Sequence, residues 1–190
     1  VNIVGTSILL KHAREHRVKA FVYSSSEGAM HPMRPNKIMT EENCVIWDED
    51  DTRADRYPKS KAIADTLVLQ ANSDAFKTAS LRFGTIYGEG DDMNITYTLK
   101  QLNDGQQKVQ VGTNTTMRTL MYVESWASAH VLAAKALLAG EGVDGSKVDG
   151  EAFLISDGED FLMYDFLRKV WREAGDETRI EICMSYRFGS

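Results

Sequence analysis

The 190-residue sequence has only two cysteines, Cys44 and Cys183, and three prolines. Two distant cysteines make neither a disulfide framework nor a metal-ligand spacing, which suits a reducing compartment. Positive charge is also scarce: 22 Lys and Arg against 28 Asp and Glu give a net charge of −6 and a pI near 5.3. The basic residues are scattered, which excludes a nucleic-acid footprint and leaves a small or neutral partner. No secretory signal opens the chain. The longest apolar run, Val131 to Gly140, is broken by Lys135 and is far short of the roughly 20 residues of a membrane span, so as given the chain reads as cytoplasmic. Without a secretory signal, the glycosylation-like triplets Asn94-Ile95-Thr96 and Asn114-Thr115-Thr116 are incidental. There are no internal repeats. What is present is 43% hydrophobic and 9% aromatic content, enough to bury a core at this length.

Periodicity predicts an alternating fold. Ile3, Ser7, Leu10 and Ala13 mark a helix already under way at the first residues and running to about His16. His12 and His16 have metal-pair spacing, but no third ligand accompanies them, and Lys11, Arg14 and Arg17 make this a solvated face. Val18 to Ser24 reads as a buried strand ending in Ser24-Ser25-Ser26, the position at which open α/β sheets bind ligands. Glu27 to Asp55 is a long irregular stretch holding two of the three prolines, placed over such a site. His31 lies in it and reads as solvent-exposed rather than substrate-facing. Arg53 to Ser73 has a helical pattern, and Pro58, tolerable only in a first turn, puts Tyr57 at its start. Lys77 to Phe83 is the next strand, and helix, strand, helix, strand implies a parallel sheet.

Gly84 to Asp92 reads as a Gly-rich turn lining a pocket. Gly88-x-Gly90 imitates a dinucleotide loop, but Met93 stands where its third glycine belongs. Beyond it the pattern predicts a helix over Ile95 to Leu102, strands over Lys108 to Gly112 and Thr119 to Val123, and a strong helix over Glu124 to Ala139. A strand over Ala152 to Ile155 follows, then an amphipathic helix over Asp160 to Ala174 whose aromatics read as core.

The chemistry lies in Tyr57 and Lys61. Four residues apart on a helix, they share a face, and an ammonium beside a phenol favours the phenolate, the form a general base needs. With 7 Tyr and 11 Lys, about 0.4 such spacings are expected by chance, so the pair alone is weak. A hydroxyl from Ser25 or Ser26 could hold the reacting oxygen of an alcohol or ketone, and a nicotinamide is the usual electron partner.

Four motifs in order strengthen it: Asn2-Ile3-Val4-Gly5-Thr6, Tyr23-Ser24-Ser25-Ser26, Tyr57-Pro58-Lys59-Ser60-Lys61 and Leu81-Arg82-Phe83-Gly84-Thr85-Ile86-Tyr87-Gly88. This series resembles the extended short-chain dehydrogenases. Met121 to His130 and Gly150 to Gly158 narrow the resemblance to the 3β-hydroxysteroid dehydrogenase and sterol-4α-carboxylate 3-dehydrogenase branch, over Val1 to Gly175. It implies an α/β fold, the latter part of a Rossmann-type NAD(P)-binding parallel sheet over residues 1–88, with a small substrate-binding region and return segments over 89–190. It implies Tyr57 as general acid/base, Lys61 as the residue that lowers its pKa and holds the nicotinamide ribose, and Ser26, in preference to Ser25, as the residue orienting the substrate oxygen. Asn2 matches an asparagine supporting a proton-relay water, and Ser24, Phe83, Gly84 and Ile86 match the nicotinamide side.

The implied reaction is oxidation of a 3β-hydroxyl on a sterol-like substrate with NAD, favoured over NADP, as acceptor, and loss of carbon dioxide where a 4-carboxylate is present. No metal is implied; a homodimer and endoplasmic reticulum association of a full-length protein are compatible with it. The alternatives are a sugar-nucleotide epimerase or dehydratase and a non-catalytic fragment. Phe83 and Glu124 depart tolerably from the family pattern. The glycine loop that binds pyrophosphate has no counterpart, so the expectation is the latter part of a longer protein, inactive by itself.

Overall fold

The computed structural model describes residues 1–32, 39–115, 117–142 and 144–178, and the backbone of 182–184. Part of the 27–55 stretch, Thr116 and the Cys183 side chain lie outside the described residues. The chain forms two compact units, Val1–Gly84 with Ser125–Ile155, and Thr85–Glu124 with Ser156–Ser190.

In the first unit, α1 (Asn2–Glu15), β1 (Ala20–Ser24), α2 (Arg56–Gln70) and β2 (Lys77–Phe83) follow one another as the alternation predicts. β2 is the central strand of a parallel sheet. Ala20 to Ser24 pair with Lys77 to Leu81 on one side, and Ala79 to Phe83 pair with Glu151 to Ile155, the later strand β6, on the other. Alternation along β1 separates two faces. Phe21 and Tyr23 pack with Leu10, Ala13, Val68, Ala71 and Phe76, while Ala20 and Val22 pack with Ala79, Leu137, Val148 and Phe153. Burying a residue such as Val68, fully enclosed, contributes about 1.5–3 kcal/mol. On α1 the buried positions are Thr6 and Leu10, whereas Ser7 is exposed and returns its hydroxyl to the Ile3 carbonyl.

α2 starts three residues later than predicted, because Asp55 is extended and the helical backbone begins only at Arg56. Its buried positions include Ala62 and Ala64, small enough for close packing, and also Asp65, which is 0% exposed. Asp65 accepts from Arg82 Nη2 of β2 at 2.6 Å and from the Ser80 hydroxyl. The 27–55 stretch is more structured than its composition suggests: a 3₁₀ turn at Glu27–Ala29 leads into a bridge between Met30 and Ile46, and Trp47 N–H donates to the Ala29 carbonyl at 3.1 Å.

The second unit contains β3 (Thr85–Tyr87), α3 (Asn94–Asn103), β4 (Val109–Val111) and β5 (Met117–Tyr122). The helix α4 (Val123–Ala139) begins directly after β5 and precedes β6 (Glu151–Ile155), and β7 (Asp160–Leu162), α5 (Met163–Glu173) and β8 (Ile182–Met184) complete the order. β3 runs parallel to β5, β7 antiparallel to it, and β4 pairs with β8. Leu120, Phe166, Leu167 and Trp171 form the core here, with Trp171 Nε1 donating to the Thr98 carbonyl at 2.8 Å.

Two sequence expectations are corrected. The Gly84–Asp92 turn contains a strand, because Thr85, Ile86 and Tyr87 find partners in Leu120, Met121 and Tyr122. The predicted helix over Asp160 to Ala174 is a strand followed by a helix: Asp160 to Leu162 are drawn into pairing with Thr119 to Met117, which outweighs local helical preference. At Gly88 (φ 146°), an added Cβ would lie 2.5 Å from Val123 Cγ1, so a close approach demands this glycine.

Candidate active site

The three strands of the first sheet are parallel, so Ser24, Phe83 and Ile155 all end at one edge. The serine run, Gly84 and the first turn of α2 lie there, but the three serines have different surroundings. The Ser24 hydroxyl bonds His130 Nε2 at 2.7 Å. The Ser25 hydroxyl is buried without a partner in a residue 7% exposed, while its N–H continues the strand pairing to the Leu81 carbonyl at 2.8 Å. Ser26 Oγ accepts from Gly28 N–H at 3.1 Å, capping the 3₁₀ turn.

Tyr57, in the first turn of α2, is 57% exposed. A Cβ placed on Gly28 would lie 3.3 Å from Ser26 Oγ and 3.9 Å from Tyr57 Cε1, so the serine hydroxyl and the tyrosine ring flank one small gap. One turn on, Lys61 Nζ donates to the Ser24 carbonyl at 2.9 Å and lies 5.2 Å from the centre of the Tyr23 ring. Burial pulls the Lys61 pKa down, and the Asp65 carboxylate opposes it. The Tyr23 phenol is pushed up, mainly by burial, against a hydrogen bond with Thr6.

Asn2 Nδ2 donates to Ser60 Oγ at 2.9 Å, and Ser60 Oγ donates to the Tyr57 carbonyl at 2.8 Å, so Asn2 ties α1 to the turn that carries Tyr57. Phe83 is buried and stacks on His130, with ring centres 5.3 Å apart. Gly84 follows it, whereas Ile86 lies in β3, its carbonyl accepting from Asn94 Nδ2 at 2.9 Å.

His130 received no role from its spacing. Its Nδ1 lies 2.9 Å from the Trp126 carbonyl, which can only accept, so in the neutral ring Nε2 accepts from Ser24. The available signal was one histidine amid the small and apolar residues of α4, four positions after Trp126. His31 is not a free surface side chain: it stacks on Trp47 at 3.8 Å between ring centres, with Nε2 3.7 Å from Asp51. His12 pairs with Glu15 at 3.0 Å. Among the described residues, no His, Cys, Asp and Glu cluster could hold a metal, and no helix is long and apolar enough to cross a membrane.

A model of the 3-beta hydroxysteroid dehydrogenase/isomerase family matches residues 1–186. The chain belongs to that family. It is 38% identical over 183 residues to a decarboxylating sterol-4-alpha-carboxylate 3-dehydrogenase of Gibberella zeae, covering 95% of this chain and 59% of that protein. It is 34% identical to the Schizosaccharomyces pombe enzyme of the same name, covering 92% and 49%, so the chain spans about half the length of such relatives. A 3-beta-hydroxysteroid dehydrogenase of Mycolicibacterium neoaurum is 30% identical, covering 90% and 44%.

Among solved structures, an epimerase from Methanothermobacter thermautotrophicus matches with a TM-score of 0.75 at 16% identity, covering 98% of this chain and 56% of that one. A dTDP-glucose 4,6-dehydratase from Bacillus anthracis in complex with NAD gives 0.71 at 17%, covering 98% and 56%. These matches show a shared α/β fold of Rossmann type.

Proposed function

We propose that the full-length protein oxidises the 3β-hydroxyl of a sterol-like substrate, with Tyr57 as acid/base and Ser26 orienting the reacting oxygen. The observation that carries this reading is the shared gap at Gly28, bordered by the Ser26 hydroxyl and the Tyr57 ring at the carboxyl edge of a parallel sheet. The dehydrogenase names of the family relatives support the reaction class, and the sterol-4-alpha-carboxylate names support the substrate. The donor set fits a nicotinamide cofactor, NAD or NADP: Lys61, half-buried at the strand end, offers an ammonium to ribose hydroxyls, and Ser24, Phe83 and Gly84 border the same edge. Residues 1–88 would supply the nucleotide side, with return segments from 89–190 such as β6 completing its sheet, and the rest of 89–190 would belong to the substrate-binding region.

Tyr57 takes the hydroxyl proton while Ser26 holds the oxygen as it becomes a carbonyl oxygen. When bound, the nicotinamide supplies the acceptor for the hydride leaving the carbinol carbon. Lys61, held at the Ser24 carbonyl one helical turn from Tyr57, would keep its ammonium at this strand end through the step. A 4-carboxylate is then β to the new ketone, and its loss as carbon dioxide leaves an enolate that the ketone stabilises.

The test gives full-length protein NAD or NADP with a 3β-hydroxysterol bearing a 4α-carboxylate, following reduced nicotinamide and released carbon dioxide. Tyr57→Phe is expected to lower turnover by about 10²-fold or more and leave cofactor affinity largely intact. Unchanged turnover would remove Tyr57 from the mechanism, and turnover of a UDP-sugar in place of the sterol would overturn the substrate assignment.

A further inference from the structure

We propose that Gly28 is a specificity-determining residue: by lacking a side chain it keeps open the gap between Ser26 and Tyr57, admitting an alcohol whose neighbouring carbon carries a substituent. The inference rests on the function proposed above and deepens it from sterol-like alcohols in general to those crowded beside the reacting carbon.

The backbone does not require glycine here. Gly28 is absent from the positive-φ glycines, so an L-residue could adopt its conformation. What a side chain would change is the space. A Cβ at this position meets Ser26 Oγ at 3.3 Å and Tyr57 Cε1 at 3.9 Å, and among the described residues no other non-neighbouring heavy atom lies within 4 Å. Both of these groups are the ones assigned to the reacting oxygen. The 3.3 Å contact is tighter than ordinary packing, and Ser26 Oγ is already held at 3.1 Å by the Gly28 N–H, so the hydroxyl has little freedom to yield. A methyl group would therefore crowd the hydroxyl and occupy the volume beside the exposed Tyr57 ring, where the flank of a bound carbinol carbon must pass.

A hydroxyl-bearing carbon with an unsubstituted neighbour needs less of this volume than one with a carboxylate on the adjacent ring carbon. The gap therefore selects for nothing by itself; it tolerates crowding that residue 28 with a side chain would exclude.

The experiment compares full-length wild type with Gly28→Ala and Gly28→Val on two substrates, a 3β-hydroxysterol bearing a 4α-carboxylate and a 3β-hydroxysteroid unsubstituted at that carbon. NADH binding, followed by nicotinamide fluorescence, accompanies each variant. The expected result is a loss in kcat/KM at least about 10-fold larger for the 4α-carboxylate than for the unsubstituted steroid, greater for valine than alanine, with NADH affinity within about 2-fold of wild type. Equal losses on both substrates, or none on either, would overturn the assignment of Gly28. If wild type oxidises neither compound, the proposed function itself fails. A variant that loses NADH binding has lost more than clearance, and that result would also count against the proposal, since the backbone at Gly28 is compatible with alanine.

Discussion

Asp65→Asn is the most direct test of how the core of the first unit supports the site. Asp65 is 0% exposed and Arg82 6%, and their contact, 2.6 Å from Nη2 to the carboxylate, joins α2 to the central strand. Arg82 has few other outlets: Nη1 donates to Cys44 Sγ at 3.4 Å, and buried Nε has no partner. Asparagine keeps the volume and one acceptor but leaves the guanidinium buried against a neutral group. Removing one partner of a buried ion pair costs about 3–5 kcal/mol, and the surviving acceptor places this variant near the lower end. With a urea slope of about 2 kcal/mol/M, the midpoint falls by roughly 1.5 M. Urea unfolding followed by tryptophan fluorescence measures this, because Trp47 and Trp126 both lie in this unit. The double variant Asp65→Leu with Arg82→Met, which leaves no orphaned charge, is expected to recover most of the loss. A shift under about 0.3 M, or a double variant worse than the single one, would refute the reasoning. In the full-length protein the same change removes the charge that opposes the burial of Lys61. The Lys61 pKa then falls further, so Lys61 loses its proton at lower pH, and the alkaline limit of the proposed oxidation is expected to move down.

Lys61→Met in full-length protein is expected to lower both turnover and cofactor affinity, because it removes the ammonium and its bond to the Ser24 carbonyl; steady-state kinetics beside NADH titration separate the two losses. Ser26→Ala is expected to lower turnover more than Ser24→Ala, since Ser26 Oγ and the Tyr57 ring both lie beside residue 28 whereas the Ser24 hydroxyl bonds His130; the reverse ranking would shift the substrate-orienting role to Ser24. In the second unit, Asp91 accepts from the N–H groups of Met93 and Asn94, both at 2.8 Å, and of Ile95 at 3.1 Å, at the start of α3. Burial alone would raise its pKa, but these donors more than offset it and hold it below the usual carboxylate range. Asp91→Ala is expected to cost about 1 kcal/mol in denaturant unfolding. With the folded pKa depressed, this contribution is complete above the unfolded value of ~3.9 and is lost as pH falls through the folded one, so wild type and variant begin to converge only as pH falls below about 4.

Local pattern by itself determined the alternation of the first unit. Lys77–Phe83 is bounded in the structure as its apolar run predicts, and Pro58 places Tyr57 in a first helical turn because proline is excluded from helix interiors. The Tyr57 and Lys61 spacing is likewise a property of one helix, and the ordered motifs point to the family whose model the chain matches. Tertiary structure decided what depends on partners distant in sequence. Three-residue strands such as Thr85–Tyr87 and Asp160–Leu162 have too little periodicity to be read, and exist because β5 offers them a register. The difference among Ser24, Ser25 and Ser26 is invisible in a run of identical residues. It follows from the His130 ring, the Leu81 carbonyl and the place of Ser26 beside Gly28 and the Tyr57 ring, an arrangement that forms only when α4, β2 and α2 converge on the end of β1. Lys61 shows the same division: the helix sets its face, but the packed sheet sets the carbonyl it reaches and the burial that lowers its pKa.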